Sequence, residues 1–231
     1  MLSIGAFASY NGDMAAPSPT TATERSPRGD RRARRRQETI EEILDIATEI
    51  MTEHGVNALT LAEVARRLGV QTPSLYKYFP SIMAVYDALF ERGQLEHLSV
   101  LRDAMAGGAP GLDALTAGLE ASGRWALHNQ ALAQLLFWRP VPSFEPTPEA
   151  MAPSEAMVSL QQQAIADAVA AGQLGPAALA DGVFLVSTLI NGVLTQAMAN
   201  EPHLEWGVGR FTPMFSRLMQ LVPAAYPPAR G

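Results

Sequence analysis

Apolar residues recur at three- and four-residue spacing along most of this chain, a pattern that predicts helices nearly throughout. The first clear stripe is Ile40, Ile43, Leu44, Ala47, Ile50 and Met51, closed by His54-Gly55. A shorter stripe, Val64, Ala65 and Leu68, follows Thr60, which has Glu63 three residues on, the spacing of a capping box. Gly69 ends that helix in a left-handed turn, and Thr72-Pro73 opens another with a hydroxyl cap and a first-turn proline. So short a connection makes the two helices cross steeply, the arrangement that puts the second into a DNA major groove. Ser81 then caps a helix bearing Val85, Leu89 and Phe90, the mechanical link to the rest of the chain.

Beyond it the pattern predicts helices over 82–106, 111–129, 131–138, 154–171 and 176–200, and a last one ending near 222. Residues 107–110 break the first pair, and a long proline-rich loop runs from Pro140 to Pro153. The stretch 179–198 is apolar enough to raise a membrane span, but Asp181, Asn191, Gln196 and two glycines argue against one. A helix apolar on nearly all sides also suits a dimer core. The fold class is all-α: a three-helix helix-turn-helix module followed by a helical C-terminal domain. The domain expectation is a disordered arm over 1–30, a DNA-binding module over 31–92 and a C-terminal domain over 93–231.

Charge sharpens this picture. The net charge of −6 suits nucleic acid poorly until it is divided along the chain. Residues 1–36 hold seven arginines against three acids, a net +4, which leaves −10 on the remainder. Arg31, Arg32, Arg34, Arg35 and Arg36 are candidates for DNA contact, either in the adjacent minor groove or by general attraction to phosphates. Arg66, Arg67 and Lys77, the only lysine, add positive charge within the module. The arm shows no apolar period and no signal-peptide order of charge and apolar residues.

With no cysteine, disulfides and thiolate metal sites are excluded, and a reducing cytoplasm is the expected compartment. The four histidines are scattered without metal-like spacing, and no nucleophile elbow, phosphate loop or dinucleotide signature occurs. No metal, cofactor or catalytic residue is expected.

The run Thr60, Gly69-Val70, Thr72-Pro73-Ser74, Leu75-Tyr76-Lys77-Tyr78-Phe79 and Pro80-Ser81 resembles the N-terminal module of the TetR family of bacterial transcriptional regulators, over residues 36–92. Ile82 stands where the family usually has a phosphate-binding lysine. A helix start can still face a phosphate through its free amides. The residues themselves suggest Leu75 and Phe79 as core, with Tyr76, Lys77 and Tyr78 too crowded for all to be buried. Thr60, Thr72, Ser74 and the tyrosines offer hydrogen bonds to phosphates or base edges, Pro73 a surface for a thymine methyl, and Lys77 a charge for phosphate or guanine.

The resemblance also implies a homodimer built on helices near 177–200 and 205–221, with stripes of Phe184, Leu185, Thr188, Leu189, Gly192 and Gln196, and of Phe211, Met214, Phe215, Leu218 and Met219. It places a ligand pocket in the C-terminal domain. Trp125, Phe137, Trp138 and Met157, with Leu132, Leu136, Met151 and Leu160, are candidate lining, and His128, Arg139 and Asn191 candidate polar anchors for a largely apolar effector. The functional expectation is a ligand-responsive repressor on a palindromic double-stranded operator, without membrane association. The alternatives are a helical enzyme acting on an apolar small molecule and a ligand-independent DNA-binding activator.

Overall fold

The computed structural model describes residues 27–228, with side chains from residue 31, and these residues belong to two units divided between Glu38 and Thr39. Of the expected disordered arm, residues 1–26 lie outside the described residues. Residues 27–30 are helical and open helix α1 (Pro27–His54). Among the described residues every regular element is helical.

The helix-turn-helix forms much as its caps dictate. Ile43, Leu44, Ala47, Ile50 and Met51 of α1 are buried, and Gly55 stops the helix at φ 88°. A 3-10 turn (Val56–Ala58) leads to α2 (Leu61–Leu68), where the Thr60 hydroxyl accepts the Glu63 N–H at 3.2 Å. Only this half of the capping box is seen: the Glu63 carboxylate takes hydrogen bonds from Arg66 and Arg67. Gly69 adopts φ 73°, and the Val70 N–H closes the helix end on the Ala65 carbonyl.

The second helix of the motif departs from expectation. Instead of an α-helix, a 3-10 turn (Thr72–Ser74) passes into further turns, with Leu75 N–H bonded to Thr72 O and Tyr78 N–H to Leu75 O. Pro73 and Pro80 bound this segment, and Pro80, which has no N–H, cannot carry a helical ladder on toward Ser81.

Helix α3 (Ile82–Ala106) is capped by the Ser81 hydroxyl on the Ala84 N–H and runs unbroken through residue 92, so the expected boundary there falls inside one helix. Its first half buries Val85, Leu89 and Phe90, and the Tyr86 hydroxyl donates to the Val56 carbonyl at 2.7 Å. Its second half packs with α4 (Leu112–His128), α5 (Gln130–Trp138) and α6 (Pro148–Ala170), and α6 packs in turn on α7 (Ala178–Asn200).

Helix α6 begins six residues before the predicted start at 154. Thr147 caps it and Pro148 occupies the first turn, where its missing N–H costs nothing; Pro153 lies inside the helix and removes one hydrogen bond. The proline-rich loop is therefore only 139–147. It is tied to α3 by the Thr147 N–H and hydroxyl, which donate to the Asp87 carboxylate at 2.8 and 2.9 Å.

The predicted helix over 205–221 does not form. Turns at Gly207 (φ 87°) and Gly209 (φ 82°) precede α8 (Met214–Met219) and α9 (Val222–Ala225), so Thr212-Pro213 marks a true start. Phe215 and Met219 are buried, while Met214 is exposed. Helix α7 is the one described helix long and apolar enough to cross a membrane. Val186, Ile190, Val193 and Leu194 are buried in the protein, whereas Leu179 and Phe184 are exposed.

At Gly123 the ring of Trp206 lies directly against α4, where a Cβ would overlap it. Trp206 is held edge-on by Phe215 at 5.5 Å. We expect Gly123→Ala to destabilise the fold by about 1–3 kcal/mol, as overpacking does, measured by urea denaturation.

Candidate functional site

The surface that could meet DNA is built on the Thr72–Ser74 turn and the residues immediately after it. Leu75 and Phe79 are buried, 1% and 6% exposed, and anchor the segment; Pro73, Tyr76 and Lys77 face solvent, while Thr72, Ser74 and Tyr78 are half-buried. The Lys77 ammonium sits 4.9 Å from the centre of the Tyr78 ring. Thr60, exposed, is engaged as the α2 cap.

Arg66 and Arg67 are placed differently from expectation. Arg67 bonds the Glu53 carboxylate at 2.6 and 3.0 Å and Glu63 at 3.0 Å, and Arg66 bonds Glu63 at 2.7 and 2.8 Å. Hydrogen bonds from Arg66 and then Arg67 hold the Glu63 carboxyl down at about 2. Arg67 braces α2 to the end of α1, while Arg66 pairs within α2, and both charges are matched by nearby carboxylates. Arg31, Arg32, Arg34, Arg35 and Arg36 are exposed along α1, with Arg34 bonded to Glu38 at 2.9 Å. A helix about 10–12 Å across does not enter a minor groove about 6 Å wide, so while helical these side chains suit phosphates.

The candidate effector cavity lies among α3 to α7 and has a volume of about 200 Å³. Of the residues singled out in the sequence, Phe137, Arg139, Met157, Asn191 and Leu136 line it. Six other expected residues do not. Trp125 stands behind the wall, stacked on His97 at 4.9 Å; Trp138 is exposed, edge-on to Phe137; Met151 accepts a contact from Arg139 at 3.6 Å; and Leu160 packs beside Leu98, Leu101 and Met157. His128 and Leu132 line a different space, a groove of about 400 Å³ with Thr48, Thr52 and Gln134 at the end of α1.

Sequence reasoning missed Gln94, His97, Ser122 and Gln161. All four are buried and line the cavity. The signal was present: Gln94 and His97 stand three residues apart on α3 within the stripe of Phe90, Leu98 and Leu101, polar groups at core positions. His97 Nε2 makes a close hydrogen bond with Ser122 Oγ, while His97 Nδ1, Gln94 Oε1 and Gln161 Oε1 have no protein partner. Burial pushes the His97 imidazole down to about 4, so it is neutral at pH 7. Eight of the fifteen lining residues among those described are polar.

Residues 43–89 match the family model described as bacterial regulatory proteins, tetR family. The HTH-type transcriptional activator FasR of Mycolicibacterium smegmatis is 29% identical over 127 residues, 54% of this chain and 58% of that protein. The class A tetracycline repressor protein from transposon 1721 in Escherichia coli is 43% identical over 49 residues, 21% of this chain and 23% of that protein. The chain thus spans less than two thirds of either relative. Among solved structures, the TetR family transcriptional regulator PfmR from Thermus thermophilus has the same fold, with a TM-score of 0.60 and 19% identity over 78% of this chain and 96% of that one.

Proposed function

We propose, from the premise that this chain belongs to the TetR family of bacterial transcriptional regulators, that it is a repressor that holds a near-palindromic operator as a homodimer. A small molecule in the α3–α7 cavity would loosen that hold. The observation that carries the reading is the segment after α2: two buried residues, Leu75 and Phe79, fix it while Pro73, Tyr76 and Lys77 point to solvent. Thr60, Thr72, Ser74 and Tyr78 flank that surface and add hydrogen-bonding groups for phosphates.

The dimer would be built on α7, whose exposed Leu179 and Phe184 and open side at Gly192 favour a second copy. With α8 only six residues long, α7 carries most of that contact. Effector action needs a different affinity for two conformers. The 139–147 loop offers a route: Arg139 lines the cavity and lies over Phe90, Phe144 packs on Tyr86 and Phe90, and Thr147 holds Asp87. Tyr86, Asp87 and Phe90 all lie on the part of α3 nearest in sequence to the DNA-facing segment.

Sequencing the DNA fragments retained by the purified protein, followed by footprinting, tests this. Two half-sites about one helical turn apart or slightly more are expected; a single asymmetric site held by a monomer would overturn it. Lys77→Ala and Tyr76→Ala should each weaken operator binding by about 1–3 kcal/mol with unchanged thermal melting. If both variants bind as the parent does, the DNA-facing segment is wrongly assigned.

A further inference from the structure

We infer that the α3–α7 cavity takes a compact, ring-sized molecule bearing hydroxyl or N–H donors, neutral or singly anionic, and not an apolar chain. The inference rests on the reading of that cavity as the effector site. Gln94, His97 and Gln161 are 5%, 7% and 9% exposed, and each presents a polar atom with no protein partner. Buried polar atoms without partners are few in native proteins because each has lost its water and gained nothing. Three such residues line one space of about 200 Å³, which favours an occupant that carries polar groups of its own.

Two of the three, Gln94 Oε1 and Gln161 Oε1, are carbonyl oxygens and accept only, so the occupant donates. His97 Nδ1 is adaptable: it accepts when Nε2–H donates to Ser122, and donates when the Ser122 hydroxyl gives its proton to Nε2. Phe137, Ile190 and Leu194 supply apolar wall for a ring. Among the described residues no carboxylate lines the cavity and Arg139, at its exposed rim, is the one full charge, which disfavours a cation and suits a carboxylate there. The volume is below the roughly 300–1,000 Å³ of sites for drug-sized ligands, which favours a compact occupant.

The test compares para-hydroxybenzoate with benzoate, which lacks only the donor, and with decanoate, by calorimetry on the full chain and by fluorescence of Trp125 behind His97. A site with partnerless acceptors rejects the analogue that lacks the hydroxyl, so para-hydroxybenzoate should bind at least roughly tenfold tighter than either. Gln161→Leu should shrink that difference at least severalfold, and Gln94→Leu serves the same purpose should the first variant not fold. Equal or tighter binding of benzoate or decanoate, or no saturable binding of para-hydroxybenzoate at millimolar concentration, overturns the inference. Retention of DNA by the same preparation is scored separately. Discrimination without DNA binding removes the regulator reading and keeps the ligand class, and DNA binding without discrimination does the reverse.

Discussion

Between pH 7 and pH 5 the folded protein should lose about 2 kcal/mol of stability through His97 alone. In the unfolded chain this imidazole titrates near its ordinary value of about 6.5, whereas in the fold burial pushes it down to about 4. The unfolded state therefore binds the extra proton between these values, and stability falls as pH drops from 6.5 toward 4, for a total of roughly 3 kcal/mol. No lining carboxylate offsets the charge: Gln94, Ser122 and Phe137 face the ring from α3, α4 and α5, and Trp125 stacks on it. The Glu63 carboxyl, held at about 2 by Arg66 and Arg67, loses its contribution in a lower window, from 4.5 down to 2. Urea denaturation of the parent and of His97→Gln at pH 7 and 5 separates the two. The parent should lose stability and the variant should be nearly flat, and a parent as stable at pH 5 as at pH 7 would falsify the buried neutral imidazole.

What could be read from the sequence is what local chemistry decides. Thr60, Gly69, Ser81 and the stripe from Ile43 to Met51 act within a few residues of themselves, and each does in the structure what its type and position imply. Errors arose where the outcome depends on neighbours. The Glu63 carboxylate had a choice between the Thr60 N–H and two arginines, and the charged partners prevailed. Arg66 and Arg67 read as free positive charge because Glu53, fourteen residues before Arg67, is invisible to a local pattern. Pro153 read as a loop boundary although a proline near a helix start removes only one bond, and the apolar spacing of 205–221 concealed two left-handed glycines. The cavity was the least legible part. Aromatic and methionine residues were favoured as its lining, but Trp125, Trp138 and Met151 pack elsewhere, and the polar residues on α3 were passed over because that helix read only as a link.

The basic segment offers the other large effect, because it separates charge from fold. Residues 39–231 form a compact unit of their own, so removing 1–36 should leave that unit folded while taking away Arg31, Arg32, Arg34, Arg35 and Arg36. Removing 1–30 takes only Arg25 and Arg28. Arg66 and Arg67 are paired with Glu63 and Glu53, and the five arginines of this segment are the densest run of positive charge in the chain. Each lost phosphate contact flattens the log–log dependence of affinity on salt by about 0.9, so the longer deletion should lower the slope by several units and affinity at low salt by orders of magnitude, while the shorter changes little. Flank composition then reports how the arginines bind. As helical side chains on phosphates they should be indifferent to it, whereas an arm that unwinds into the minor groove should lose more on A·T-rich flanks, where the groove is narrow and its potential most negative. Equal salt slopes for the full chain and for 37–231 would place all five arginines away from DNA and leave Lys77 and the helix starts to carry the electrostatics.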